Sequence, residues 1–362
     1  MPASTRSSKK ATDPHLWITI LAGGSGTRFW PVSTQARPKQ LLPLTSDRPL
    51  IAETVERARA LCPDDRIRIL APDALVPALA RALPTLPAAS YWIEPQPRGT
   101  APAMVWAAWQ ASREDPEAVV VSFHADHVVS PLAALVVLLR AAARVAREER
   151  LLLTVGAPPD RAEVGYGYIQ PGAPLDPGPG LEAFRVTAFH EKPDVETAAS
   201  YVARGYLWNT GIFVWPASLF LEEVRNHAPE LGSLLQHLER GDHAQFFRRA
   251  PQTSVDQAVL ERSDRVGVMR ANFQWDDVGS WEALARTREP DERGNVTQGD
   301  GHVVDGSGNV VFSQGGPVVL FGVQDLVVVR TEQVTLVTDR AHGPHLKELL
   351  ERLPEALRRL EE

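Results

Sequence analysis

Leu16-Trp17-Ile18-Thr19-Ile20-Leu21, running straight into Ala22-Gly23-Gly24-Ser25-Gly26-Thr27-Arg28, decides how the rest of this chain is read. The apolar run has strand length and stops at a glycine cluster, which predicts a buried strand that delivers a loop of unusual backbone angles. Two further runs end in turn chemistry in the same way: residues 66–70 before Pro72, and residues 118–123 before His124-Ala125-Asp126. Helical patterns lie between them, at 49–61 and 100–112. Strand and helix alternating like this predict an α/β fold with a mixed, mostly parallel sheet and helices on both faces. Such sheets bind ligands at the carboxyl ends of their strands, where the glycine cluster and Asp126 both fall.

Further along, a second α/β stretch covers 151–288, broken by the Pro/Gly-rich segment 171–180, which reads as a loop or a hairpin insertion. The character changes after Glu289. Short Val-rich runs separated by Gly and Asp occupy 295–338, without helical patterns between them, which predicts a small β-solenoid or sandwich. An amphipathic helix is expected at 345–360. The expected division is a disordered tail over 1–14, a main domain over 15–290 and a β-rich domain over 291–362 that ends in the helix.

Composition narrows the function. The 362 residues are 44% hydrophobic and 23% charged, enough apolar content for one large core and a smaller one. A net charge of −7 excludes the broad positive face that nucleic acid or a membrane surface demands, so any phosphate site must be local. Cys62 is the single cysteine, which rules out a disulfide framework and a thiolate zinc site, and reads as a buried apolar residue. No apolar stretch approaches the roughly 20 residues of a membrane span. The polar start, with Lys9 and Lys10, lacks the apolar segment of a signal peptide. A soluble, cytoplasmic protein is expected.

The glycine loop itself could be an ordinary tight turn. It is not a P-loop, which ends in Gly-Lys-Ser/Thr, nor a dinucleotide fingerprint, whose third glycine position here holds Phe29. Its amides can nevertheless approach an oxyanion closely. Arg28 and then Lys39 follow within about a dozen residues, the arrangement needed to hold a triphosphate and neutralise a departing pyrophosphate. His124, Asp126 and His127 could form a transition-metal site, although two histidines this close rarely suffice without a distant third ligand.

Leu21-Ala22-Gly23-Gly24-Ser25-Gly26-Thr27-Arg28-Phe29-Trp30-Pro31, with Arg37-Pro38-Lys39-Gln40-Leu41-Leu42-Pro43-Leu44, closely resembles the signature of the sugar nucleotidyltransferases. Trp30-Pro31 and Lys39-Gln40 are similar to its mannose-1-phosphate guanylyltransferase branch. The resemblance runs from about residue 17 to 353. It implies the nucleotide-diphospho-sugar transferase fold, Rossmann-like, with a small left-handed β-helix-like domain at the C-terminal end. Leu21, Ala22, Gly23, Gly24, Gly26 and Thr27 would then wrap the nucleotide, with Arg28 and Lys39 on its phosphates. Glu94 and the segment Arg98-Gly99-Thr100-Ala101 resemble the base-binding segment, with Gly99 where asparagine is usual.

Phe123-His124-Ala125-Asp126-His127 is similar to the family's Pro-Ala-Asp-His but departs from it at His124. A hard-cation role suits Asp126 best, since magnesium on a triphosphate takes only one or two protein carboxylates. Trp275-Asp276-Asp277-Val278-Gly279-Ser280-Trp281 resembles the family's Asp-Val-Gly-Ser-Trp and makes Asp277, rather than Asp276, the partner of Asp126 on Mg2+. Gly167, Glu191, Lys192, Asn209 and Asp256 match the sugar-phosphate half, although Ser254 and Asp256 also read as helix-capping residues.

The resemblance thus implies transfer of GMP from GTP to mannose 1-phosphate, giving GDP-mannose and pyrophosphate. Arg28, Lys39, Asp126, Lys192 and Asp277 would be the catalytic residues. The alternatives are the same chemistry on another hexose 1-phosphate or base, and a catalytically silent regulatory paralogue. The paralogue would be expected to lose the charged residues, and all five are present. The β-rich tail is too short for a further catalytic domain, so the isomerase fused to some longer relatives is expected to be absent. Exposed strand edges in the tail predict a homodimer; a single-chain mass by light scattering would contradict this.

Overall fold

The computed structural model describes residues 13–24, 26–34 and 37–358. Ser25 and residues 1–12, which carry most of the expected tail, lie outside the described residues. Asp13 is held by Arg147 at 2.6 Å.

Ten strands in chain order begin the fold: β1 (Leu16–Leu21), β2 (Ile67–Pro72), β3 (Tyr91–Glu94), β4 (Val119–His124), β5 (Val128–Ser130), β6 (Leu152–Ala157), β7 (Gly167–Leu175), β8 (Ala183–Glu191), β9 (Leu207–Pro216) and β10 (Val266–Arg270). All but β5 form one sheet in the order β3-β2-β1-β4-β9-β6-β10-β8-β7. Strands β8 and β9 run against the other seven, so the sheet is mixed and mostly parallel, as expected. Helices α1 (Leu50–Arg59), α2 (Val76–Ala82), α3 (Thr100–Glu114), α4 (Leu132–Glu148), α5 (Val195–Ala203) and α6 (Ala217–His227) surround it.

Alternation along the strands sorts the core into two layers, because neighbouring side chains point to opposite faces. Ile18 and Ile20 of β1, with Val119 and Val121 of β4, pack under α1 and α4. Trp17, Leu21 and Val120 pack on the other face against α3 and α6. Cys62 is buried in the first layer. The Pro/Gly segment is the hairpin of the two alternatives: β7 and β8 pair across it, with register shifts at Pro171 and Pro174, where proline cannot donate to the ladder.

β11 (Gln274–Asp276) pairs with β5 in a small sheet of its own. The remaining strands are β12 (Val296–Gln298), β13 (Gly301–Val304), β14 (Val310–Ser313), β15 (Val318–Phe321), β16 (Leu326–Arg330) and β17 (Thr335–Asp339). β12, β14 and β16 stack in parallel, β13 and β15 stack in parallel beside them, and β17 closes the longer face antiparallel to β16. This is a β-helix-like solenoid, not a sandwich. Asn295 and Asn309 are buried at successive corners, where Asn309 Nδ2 donates to Asn295 Oδ1 (3.0 Å) and Leu326 N donates to Asn309 Oδ1 (3.0 Å). Each buried amide thus meets the next turn of the coil.

The single helix expected at 345–360 is two pieces, Leu346–Arg352 and Glu355–Arg358. Pro354 divides them because it has no N–H to continue the ladder. Among the described residues, no helix is long and apolar enough to cross a membrane.

The solenoid is packed onto the main sheet's glycine loop. Val310, Phe312, Val327 and Val329 share one core with Phe29, Trp30, Leu42 and Trp281. Trp30 Nε1 donates to Leu357 O (3.2 Å), and Trp281 Nε1 donates to Trp30 O (3.2 Å).

Candidate active site

β1 and β4 are parallel neighbours whose last residues, Leu21 and His124, stand in register. The chain therefore leaves the sheet twice at the same height, as the glycine loop and as the segment that carries Asp126. Ala125 N donates to Leu21 O at 3.0 Å and ties the two exits together. Leu21 and Ala22 are buried, so only their backbones face a ligand.

Gly26 has φ 59°, and a Cβ there would stand 2.7 Å from Lys39 Cβ, so glycine is required for the loop to close on the lysine turn. A cavity of about 240 Å³ results, lined by Gly23, Gly24, Gly26, Arg28, Lys39 and Asp126 together with Gly279. Arg28 is exposed, and among the described residues no side chain pairs with it. The side chain of Thr27 lies outside what is described.

Lys39 is nearly buried. Its Nζ makes an ion pair with Asp126 Oδ2 (2.7 Å) and donates to the carbonyls of Asp277 (2.8 Å) and Val278 (3.0 Å). An ammonium has three protons, and these partners account for all of them. Burial by itself would raise the Asp126 carboxyl, but Lys39, His127 and His124 outweigh it and hold the pKa at about 2. His124 and His127 are both pushed below the usual imidazole range, first by burial. The His124 departure from the family pattern is accommodated by stacking: its ring lies on that of His127, 4.6 Å between centroids.

The turn that supplies the two carbonyls is strained. Val278 has φ 47°, a region that costs a β-branched residue about 1–3 kcal/mol. Asp276 holds it there: its Oδ1 accepts from Val278 N (2.7 Å), and its carboxylate is clamped by Arg286 at 2.6 and 3.1 Å. Asp276 is thereby committed to the turn. Asp277 points elsewhere, and its Oδ1 accepts from Tyr166 Oη at 2.7 Å. Burial and the Asp277 charge both keep the Tyr166 proton in place.

Tyr166 precedes Gly167 at the head of β7 and so links Asp277 to the residues expected on the sugar side. Gly167 is in register with Glu191 of β8, and Lys192, in the left-handed region at φ 49°, ion-pairs with Glu191. Asn209 Nδ2 donates to Asp256 Oδ1 (2.9 Å), while Asn209 Oδ1 accepts from Thr154 Oγ1 (2.9 Å), which fixes the amide's orientation. Asp256 sits inside a π-helical turn, Asp256–Leu260, with Ser254 Oγ accepting from Gln257 N. The capping expected of this segment thus falls to Ser254 and leaves Asp256 to face Asn209.

Burial, reinforced by the charge of Glu191, pushes the Asp256 carboxyl up to about 7. The unfolded chain gives up this proton near 3.8 while the folded chain keeps it to about 7, so stability falls as pH rises through that window. Asp256→Asn keeps an acceptor for Asn209 and cannot ionise. Thermal melts should show it more stable than the wild type near pH 8, with the difference smaller near pH 5 and gone only below about 3.8. A gap of equal size at both pH values would refute the shift.

Glu94, Arg98, Thr100 and Ala101 do not line the loop cavity. Glu94 ends β3, half-buried, its carboxyl raised to about 7 by burial. Arg98 donates to the carbonyls of Phe247 and Arg248 (both 3.1 Å), and Thr100 Oγ1 accepts from Val255 N (3.0 Å). Ala101 N donates to Thr253 O, so the segment is stitched to the strip that carries Asp256. Gly99 has φ 84° and ψ −178°, and a Cβ there would stand 2.4 Å from Thr253 O. Glycine accommodates that backbone and that close approach, both of which would strain an asparagine.

Sequence reasoning missed Tyr166, Trp275 and Arg57. Tyr166 is the immediate neighbour of Gly167, which the sequence did single out. Arg57, buried in α1, donates to His127 O at 2.6 Å and braces the Asp126 segment from below. No sequence signal distinguishes it from any other helix arginine.

Comparison with known proteins agrees with this geometry. Residues 18–293 match the Nucleotidyl transferase family, and residues 300–353 match the MannoseP isomerase/GMP-like beta-helix domain. The chain is 35% identical over 358 residues to a mannose-1-phosphate guanylyltransferase of Escherichia coli (strain K12), covering 93% of this chain and 73% of that protein. It is 34% identical, with the same coverage, to the mannose-1-phosphate guanylyltransferase ManC of Salmonella typhimurium (strain LT2). A crystal structure of a mannose-1-phosphate geranyltransferase from Thermus thermophilus superposes with a TM-score of 0.86 at 31% identity, over 93% of this chain and 99% of that one.

Proposed function

From the premise that the chain belongs to the mannose-1-phosphate guanylyltransferase family, we propose that it transfers GMP from GTP to α-D-mannose 1-phosphate, releasing pyrophosphate and forming GDP-mannose. The observation that carries this reading is the loop cavity, which an arginine, a lysine and a carboxylate line together with three glycines of the loop. A phosphate oxygen of the sugar phosphate attacks the α-phosphorus in line, and the bond to the β-phosphate oxygen breaks. The attacker is already an anion, so no protein nucleophile or base is required. The chain contributes alignment and charge neutralisation.

In this reading the amides of residues 21–27 receive the phosphates, and Arg28 and Lys39 neutralise the leaving pyrophosphate. Glu94, Arg98, Thr100 and Ala101 border the base. Gly167, Glu191, Asn209 and Asp256 engage the sugar hydroxyls, and Lys192 holds the incoming phosphate. The donors around Lys39 Nζ are all oxygens already arranged about a cation, which suits a hard metal ion. Asp126 and Asp277 would hold Mg2+, which when bound neutralises charge on the phosphates.

The change from the last helix of the main part, Glu282–Thr287, to solenoid strands beginning at Val296 supports a division near residue 290, with the two parts joined through the core around Phe29 and Trp30. Val319 (66% exposed) and Phe321 (71% exposed) lie on the uncovered β13–β15 face and support a homodimer through it. The lone buried Cys62 fits a cytoplasmic location.

Pyrophosphate release measured across four nucleoside triphosphates and three hexose 1-phosphates, with and without Mg2+, tests the assignment. GTP with mannose 1-phosphate should be fastest, and only with Mg2+. A faster pair would favour another sugar or base, and nucleotide binding without release would favour the silent paralogue.

A further inference from the structure

His124, Asp126 and His127 bring one ligand atom each to within 4.8 Å of one another, a donor set suited to cobalt or zinc as much as to magnesium. The geometry around His127 withdraws it from that set. Trp275 Nε1, which can only donate, stands 3.2 Å from His127 Nδ1, with the two rings nearly perpendicular at 87°. An imidazole that accepts at Nδ1 is neutral and carries its proton on Nε2. Nε2 is the atom that faces Asp126, 3.9 Å from Oδ1, so it presents a proton there and no lone pair. The stacking of His124 on His127 at 28° also makes their in-plane lone pairs run side by side instead of converging on one ion. Trp275 is itself held in place, paired with Val129 across the β5–β11 sheet and edge-on to Tyr166 at 5.2 Å.

We propose that Trp275 sets the cation selectivity of the site by locking His127 in its Nε2–H tautomer, which leaves carboxylate oxygens as the principal ligands and disfavours nitrogen-seeking metals. Trp275 is in this sense a positioning residue that acts through His127. The inference rests on Asp126 being the cation ligand of the proposed reaction.

The test is a cobalt titration of the metal-free full chain without nucleotide, followed by visible absorption and by NMR for an exchangeable imidazole N–H shifted by the bound ion. The wild type should show no such proton from His127. Trp275→Phe, which keeps an aromatic ring against Tyr166, should bind cobalt about tenfold more tightly and show that proton. Adding His127→Asn to it should restore the wild-type affinity. Unchanged affinity in Trp275→Phe would overturn the proposal, as would a shifted wild-type proton that disappears in His127→Asn. If Trp275→Phe does not fold, wild type and His127→Asn decide alone: equal affinity supports the lock, and weaker binding by the variant overturns it. Cobalt affinity unchanged in Asp126→Asn would instead remove the carboxylate from the site and the premise with it.

Discussion

Lys39→Ala should lower turnover by about 100- to 1000-fold, the scale on which one preorganised charge acts in a transition state, and should also destabilise the fold. Both effects come from one position. The Nζ is the counter-charge of Asp126 and the only cation that reaches the carbonyls of Asp277 and Val278 among the described residues. Without it a mostly buried carboxylate stands unpaired, at a cost on the order of 2 kcal/mol once the 25% of the Asp126 side chain open to water is allowed for. The cost has a pH signature. In the wild type the lowered Asp126 pKa contributes stability above 3.8 that is lost as pH falls toward about 2. In the variant burial acts unopposed by the ammonium, so the gap between the two proteins is full at neutral pH and closes as the carboxyl protonates. Arg28→Ala is the control, because Arg28 is exposed and, among the described residues, no side chain pairs with it: turnover should fall comparably while the melting temperature stays put. Near-normal turnover in Lys39→Ala, or an equal loss of stability in both variants, would remove the assigned role.

Asp126→Asn should be the more severe catalytic lesion, lowering kcat/KM by about 1000-fold or more, and it too should destabilise the fold, because the buried Lys39 ammonium loses its counter-charge. The amide retains an oxygen for Lys39 but not the charge. Two of the three Lys39 bonds are to carbonyls and survive the change. The magnesium concentration for half-maximal rate should rise, and added magnesium should not restore the wild-type rate. A variant that keeps a tenth of the activity would show that the cation is held elsewhere.

Much of this was legible in the sequence, for identifiable reasons. β1 matches the expected strand end for end, because an apolar run that stops at a glycine cluster has only one reading. The glycine loop stood out because Arg28 and Lys39 follow its glycines within about a dozen residues, and Asp126 because it follows a strand end; Asp277 was expected from the family resemblance. The reversed direction of β9 was not legible: a run such as Leu207–Pro216, buried on both faces, looks the same whichever way it runs. Nor were the bracing contacts, since Tyr166 meets Asp277 across 111 residues and Trp275 meets His127 across 148. The division of labour between Asp276 and Asp277 was expected from resemblance alone. Its physical cause, Arg286 clamping one carboxylate, appears only in three dimensions.

Phe29 stands edge-on to Trp281 at 5.1 Å, and Trp281 meets Phe312 of the solenoid at 5.1 Å, so a column of rings runs from the arginine turn into the C-terminal coil. The coil is therefore a foundation for the turn that carries Arg28 and not a detachable module. A chimera that takes its solenoid from a relative must bring the matching faces of this column, or its Arg28 will be delivered to the wrong place by a sheet that is itself intact.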